Sequence, residues 1–287
     1  MIGADPLRPA SLAARPTSEL GKRVGSAIVM AAAALFATWT GGWPFTLLWL
    51  GAAGIVLLEW TDMSRVRPRL PILVVGFVAL VTVAAALRLQ ASPPVVLSLA
   101  GTAVVVVFAT GAQSRHRLWA ASGLVYAIAV LVVPVYIRDQ PALGAVAILW
   151  LFAVVWLTDI GGYFVGRAIG GPKLAPSISP GKTWSGFAGG LVAATISGGA
   201  TVALAAAWDH PLPIGWPVAA LVSALASVAG QAGDLGESAM KRIFAVKDSG
   251  HLIPGHGGLM DRLDGFVPAG ALLALVLALS AQAGTPQ

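Results

Sequence analysis

The chain has no cysteine, which excludes a disulfide framework, a thiolate zinc site and a cysteine nucleophile while leaving oxygen-ligated metals open. Charge is nearly as scarce. Asp, Glu, Lys and Arg supply 10% of the 287 residues, against about a quarter in soluble domains. Together with 57% hydrophobic residues, that scarcity excludes an ordinary water-soluble enzyme and implies a polytopic membrane protein. The net charge of +6 does not indicate a nucleic-acid partner, because the basic residues are scattered over short loops and build no basic face. No internal repeat and no second soluble domain is visible. A compact signal-peptide pattern is missing too: residues 1–24 hold Asp5, Glu19, three prolines and four basic residues. Residues 1–23 therefore read as a short cytoplasmic tail whose basic end, Lys22 and Arg23, meets anionic headgroups.

What the chain does have is apolar runs. A helix crossing about 30 Å of hydrocarbon needs roughly 17–25 residues, and the runs predict an all-α fold of about nine transmembrane helices. They extend from Val24 to Thr40, Trp43 to Leu58, Leu70 to Leu87, Val95 to Ala112, Leu118 to Ile137, Pro141 to Thr158, Trp184 to Ala207, Trp216 to Ala232 and Phe266 to Ala283. With the N-terminus in the cytoplasm, 16 of the 18 Lys and Arg residues fall in cytoplasmic segments, and only Arg88 and Arg138 fall outside. The expectation is therefore N-in and C-out. N-terminal transmembrane helices would occupy residues 24–140, and a catalytic transmembrane region would occupy 141–287, with cytoplasmic loops 159–183 and 234–265.

The middles of these spans hold no Asp, Glu, Lys, Arg or His. An ion-coupled transporter keeps such groups near the midplane despite a cost of roughly 2.5–3.5 kcal/mol each. Chemistry at the cytoplasmic interface is thus a better reading than translocation. Glycine pairs such as Gly162 with Gly166 and Gly186 with Gly190 have the small-xxx-small spacing of close helix contacts. Trp43, Trp60, Trp184 and Trp216 stand at span ends, as interface anchors do.

The stretch from Asp234 to Gly265 concentrates what the rest of the chain lacks: five of the twelve acidic residues, four basic ones and two of the four histidines. Gln231, Asp234, Ser238 and Lys241 are spaced to form one polar stripe on a helix that continues out of the membrane. Asp234 would sit at the hydrocarbon edge, where a divalent cation or a helix-end Lys241 or Arg242 is a natural partner. After Asp248 the sequence SGHLIPGHGG forbids a continuous helix, and Gly257 and Gly258 allow backbone N–H groups to turn toward a phosphate. Asp261, Arg262 and Asp264 follow at the mouth of the last span, where capping is the alternative role for one carboxylate but explains two carboxylates and an arginine poorly. Carboxylates from two helix ends flanked by Lys and Arg have the composition of a phosphoryl or nucleotidyl transfer site. His256 is either a proton shuttle or a structural residue of the glycine turn.

The second polar loop, TDIGGYFVGRAIGGPKLAPSISPGKTWSG, places Asp159 directly after an apolar span and brings Arg167, Lys173 and Lys182 in a segment suited to polyphosphate. Its GKT, Gly181 to Thr183, is not a P-loop, because Pro176 stands where that motif needs glycine and no strand is expected before it. On charge count both loops fall on the cytoplasmic side, as one composite site requires.

The run Ser238, Met240, Lys241, Arg242, Lys247, Asp248, Gly250, Ile253, Pro254, His256, Gly257, Gly258, Leu259, Asp261, Arg262, Leu263, Asp264 resembles the signature of the phosphatidate cytidylyltransferases, or CDP-diacylglycerol synthases. The upstream segment from Asp159 to Gly186 is similar to a second recurring stretch of that family. It departs from the family's pattern at Gly181 and Ser185, so no role is carried to those two positions. The N-terminal half is similar only in being a string of apolar helices. The resemblance implies a membrane enzyme, set in the bacterial inner membrane with its active site facing the cytoplasm, that condenses CTP with phosphatidic acid to CDP-diacylglycerol and pyrophosphate. It also implies Mg²⁺ held by Asp234 and Asp261, a second, monovalent cation alongside, and a homodimer.

On this reading the phosphomonoester of phosphatidate attacks the α-phosphorus of CTP, and the enzyme aligns two polyanions and cancels their repulsion. Asp264 would be a further carboxylate near the cation. Lys182 and Arg262 are the first candidates for phosphate contacts, followed by Lys241, Arg242 and Lys247. Asp248, His256, Gly257, Gly258 and Ser238 complete the substrate-binding set, with Asp159 and Glu237 at its edge. A CTP-dependent lipid-alcohol kinase would share the setting but transfer the γ-phosphoryl group. A CDP-alcohol phosphotransferase lacks its aspartate pattern here, and a transporter is the non-enzymatic alternative.

Overall fold

A computed structural model describes residues 16–141, 143–208, 214–250 and 257–283. Six helices come first: α1 (Pro16–Thr40), α2 (Gly42–Ser64), α3 (Arg69–Arg88), α4 (Pro93–Thr110), α5 (Ser114–Arg138) and α6 (Gly144–Ile169). A hairpin of β1 (Lys173–Ala175) and β2 (Ser179–Thr183) leads into α7 (Trp184–Ala207), α8 (Trp216–Ile243), the single turn α9 (Met260–Leu263) and α10 (Phe266–Ala283). Among the described residues seven helices, α2 to α8, are long and apolar enough to cross a membrane, and the apolar stretches Val24–Thr40 and Phe266–Ser280 are shorter. The chain is an integral membrane protein with an almost wholly helical fold.

Local chemistry sets the breaks. Gly41 and Gly42 have φ of 63° and 52°, a left-handed pair that glycine adopts without a Cβ clash, and this turns α1 back into α2. The Thr183 hydroxyl accepts the Gly186 N–H at 3.1 Å, capping α7 where the strand ends. Pro217 in the first turn of α8 fits where an N–H has no helical partner.

Packing joins both halves of the chain. Phe266 at the start of α10 stacks on Trp49 of α2 at 5.0 Å and on Phe152 of α6 at 5.3 Å. Helices α6 and α7 approach so closely that a Cβ on Gly186 would lie 2.8 Å from the Gly162 carbonyl oxygen, and one on Gly190 2.7 Å from that of Thr158. The glycine pairs are packing residues, as their spacing suggests.

Four sequence expectations need correction. Helix α2 runs on to Ser64, so Glu59, buried at 7% exposure, and Asp62 lie inside a span that was expected to stop at Leu58. Residue 159 is likewise within α6, not in a loop after it. Residues 173–183 form an antiparallel hairpin with Lys173 opposite Thr183 and Ala175 opposite Ser179, so GKT lies in a strand where a Gly/Pro/Ser-rich loop was expected. Trp60 is not an interface anchor. It is buried, stacks on Tyr126 at 5.7 Å and donates its indole N–H to the Trp119 carbonyl at 2.8 Å, whereas Trp43, Trp184 and Trp216 are exposed.

The two ends of the bundle differ in what they carry. At one end Arg88 pairs with Asp139, and Arg138 donates to the Thr38 carbonyl at 2.7 Å. At the other end lie the hairpin, the C-termini of α2, α6 and α8, and α9.

Candidate active site

One face of α8 organises this second end. Asp234, Glu237, Ser238 and Lys241 fall three or four residues apart, so they stack along the helix, and about 10 Å of rise separates Asp234 from Lys241. Lys182, delivered by β2, forms an ion pair with Asp234. The Ser238 hydroxyl stands 3.5 Å from the same carboxylate. Two turns along, Lys241 donates to Asp261 Oδ1 at 2.7 Å and lies 3.6 Å from Glu237 Oε2. The expected stripe is present, and Gln231 closes it by donating to the Phe187 carbonyl at 3.4 Å. Asp234 is held by Lys182 from the other polar segment and not by Lys241 or Arg242 of its own helix.

Asp261 is the knot of the second segment. Its carboxylate accepts N–H groups from Gly258 at 2.9 Å and from Ser249 at 3.1 Å, besides Lys241. Burial alone would raise its pKa, but the hydrogen bonds from Lys241, from Glu237 and from the Gly258 N–H outweigh it and hold the carboxyl below its ordinary value. Gly257 has φ +82°, and a Cβ there would come within 3.0 Å of Asp261 Oδ2, so glycine is required both by backbone and by space. Asp264 accepts the Gly265 N–H at 2.8 Å. Burial, reinforced by the charge of Asp234, pushes its carboxyl above the usual carboxylate range. Its own backbone carbonyl packs against Gly233, immediately before Asp234.

The remaining candidates are placed as follows. Arg242 donates through Nε to the Ile178 carbonyl at 3.1 Å, tying α8 to the hairpin turn. Lys247 and Asp248 are exposed on the turn after α8, and Arg262 is exposed on α9. Asp159 is exposed on α6, within electrostatic reach of Asp234, Asp264, Lys182 and Arg262. His256 lies outside the described residues. Ser185, one of the departures from the resembled pattern, donates to the Gly170 carbonyl and so closes the base of the hairpin.

The donors suit a hard divalent cation. Asp234, Glu237, Asp261 and Asp264 offer carboxylate oxygens only. Both oxygens of Glu237 are buried beside the Asp261 and Asp264 carboxyls, with Lys241 3.6 Å from Oε2, and carboxyls this close need a cation or a proton between them. Among the described residues no group of three or more Asp, Glu or His side chains is arranged to hold a metal on its own. A cation there would take part of its shell from phosphates and water, as Mg²⁺ commonly does. Asp234 and Asp261, the expected pair of ligands, each carry a lysine and share no partner among the described residues.

The charge count did not reveal Glu59 of α2, which accepts the N–H groups of Leu259 and Met260, each at 2.8 Å. The only signal for it is an acidic residue closing an apolar run, LLEW.

Comparison with known proteins identifies the family. Residues 21–280 match the model of a family described as the cytidylyltransferase family. A phosphatidate cytidylyltransferase of Brucella suis biovar 1 (strain 1330) is 42% identical over 270 residues, 94% of this chain and 97% of that protein. A phosphatidate cytidylyltransferase of Bacillus subtilis (strain 168) is 46% identical over 143 residues, 50% of this chain and 51% of that protein.

Proposed function

The chain belongs to the cytidylyltransferase family, and we infer that it condenses CTP with phosphatidic acid, giving CDP-diacylglycerol and pyrophosphate. It is a membrane-embedded nucleotidyltransferase. One observation carries the assignment of residues: two lysine–aspartate pairs, Lys182 with Asp234 and Lys241 with Asp261, draw the hairpin, α8 and α9 together at one end of the bundle.

The phosphatidate oxyanion attacks the α-phosphorus of CTP in line, and pyrophosphate leaves as the bond to the β-phosphate oxygen breaks. No protein nucleophile is needed. Lys182 and Arg262 neutralise the phosphates first, with Lys241, Arg242 and Lys247 around them, and when polyphosphate enters Lys182 passes from Asp234 to the nucleotide. Asp234 and Asp261 would hold Mg²⁺, with Glu237 and Asp264 beside them. When bound, Mg²⁺ would supply charge compensation to the reacting phosphates. Asp264 would be the carboxylate that supports the Mg²⁺ ligands or meets a second, monovalent cation. The acyl chains reach the headgroup site sideways between helices.

Orientation follows the basic residues. The end that holds the site also holds Arg65, Arg67, Arg69, Arg115, Arg117 and Arg167, which supports a cytoplasmic active site. Nine crossings, an inner N-terminus and an outer C-terminus accord with that bias, and the bacterial relatives support the inner membrane. A homodimer is part of the same reading, and crosslinking in native membranes tests it.

The deciding assay gives purified protein phosphatidic acid with CTP labelled at the α- or the γ-phosphate. Label from the α position should enter the lipid phase with release of one pyrophosphate per lipid. Entry of γ label instead would make the protein a lipid kinase, and entry of neither would overturn both readings.

A further inference from the structure

Behind the proposed site lies a buried carboxylate that the chemistry above does not use. Glu59 Oε1 accepts the Leu259 N–H, and Oε2 accepts the Met260 N–H and, at 3.2 Å, the Ser249 hydroxyl. Ser249 serves two carboxylates at once, because its N–H donates to Asp261 while its hydroxyl donates to Glu59. The segment before α9 is thereby gripped between Asp261 and a residue 190 to 201 positions earlier in the chain. Glycine makes the grip possible: a Cβ on Gly250 would stand 2.8 Å from Glu59 Oε1, and one on Gly258 2.8 Å from Oε2. Backbone N–H groups buried at the start of a helix need acceptors, and an ionised carboxylate supplies two strong ones.

We propose that Glu59 is a positioning residue for cytidylyl transfer: from the N-terminal half it fixes the chain at 249 and 259–260 so that Asp261 faces the substrates. This rests on the assignment of Asp261 to the active site. Glutamine at position 59 would keep the volume but turn one acceptor into a donor, setting an NH₂ against an N–H.

The test is Glu59→Gln in the full-length membrane enzyme, followed by CDP-diacylglycerol formation and by amide hydrogen exchange. The expected result is a kcat lowered about 10–100-fold, with KM for CTP changed less than about threefold because the phosphate-binding cations are untouched. Exchange should quicken in peptides covering 249–262 and stay unchanged in α7 and α10. Asp62→Asn, one turn along the same helix and paired with exposed Arg69 at 2.6 Å, should leave both readouts as in the wild type. A kcat within about twofold of wild type, or exchange quickened evenly over the whole protein, overturns the proposal. Should Glu59→Gln fail to insert, Ser249→Ala removes one of the three bonds. It should lower kcat about threefold with the same local exchange, and no change in either measurement overturns the proposal equally. If the wild type makes no CDP-diacylglycerol, the functional reading fails, while the exchange pattern still decides whether Glu59 holds the loop.

Discussion

Two lysine–aspartate pairs stand two turns apart on α8, and they are built differently. In the pair of Lys182 with Asp234 the aspartate is 36% exposed and its other contact is a long one to Ser238. In the pair of Lys241 with Asp261 the aspartate is 9% exposed and also takes backbone N–H groups from Ser249 and Gly258. A carboxylate bound on both oxygens by the chain is committed to the shape of its loop. One met chiefly by a lysine near solvent can exchange that lysine for another cation at small cost. The same side-chain chemistry thus supplies a fixed post and an open one, and the proposed reaction would use both for two polyanionic substrates arriving from different phases.

Removing the fixed post should have the largest effect. Asp261→Asn places an amide NH₂ among donors, and turnover should fall on the order of a thousandfold with membrane insertion retained. Near-normal steady-state activity with CTP and Mg²⁺ would take Asp261 out of the site. Asp234→Asn, at the open post, should cost roughly a hundredfold in kcat without altering hydrogen exchange over residues 249–262. Altered exchange there would erase the contrast between the two pairs.

Glu237, between the two pairs, should separate stability from activity. Glu237→Gln should slow turnover about tenfold yet raise thermal stability in divalent-free detergent by about 1 kcal/mol, because it takes a buried carboxyl out of a cluster with Asp261 and Asp264. A lowered Tm would show that the carboxylate is already satisfied. The smallest effect belongs to Lys182→Ala, which should raise KM for CTP about threefold to tenfold. Its half-buried ion pair, open to solvent on one side, contributes about 1 kcal/mol or less to the fold, so Tm should hold, and an unchanged KM and kcat would exclude Lys182 from phosphate binding.

Much of this was readable from local pattern. Helices α7 and α10 begin and end where their apolar runs do, and the stripe of Asp234, Ser238 and Lys241 follows from helical spacing alone. Partner choice did not follow, since spacing offers Asp234 the basic residues of its own helix end and the fold supplies Lys182 from the hairpin. The hairpin itself was hidden in KLAPSISPGKT, where proline and serine signal loop more strongly than strand. Glu59 was hidden for a different reason. Hydropathy stops a span at the first charge, and nothing in LLEW shows that the charge is met by N–H groups at the far end of the chain. Trp60 was misplaced by the same premature end to α2.

A double-mutant cycle on Asp234→Asn and Asp261→Asn, read as transfer of α-label from CTP into lipid, tests most directly whether the two pairs serve one reaction centre. Carboxylates acting as a unit predict that the double variant is no slower than the slower single variant. Losses that multiply would mean that the two pairs act independently, and the single composite site would be wrong.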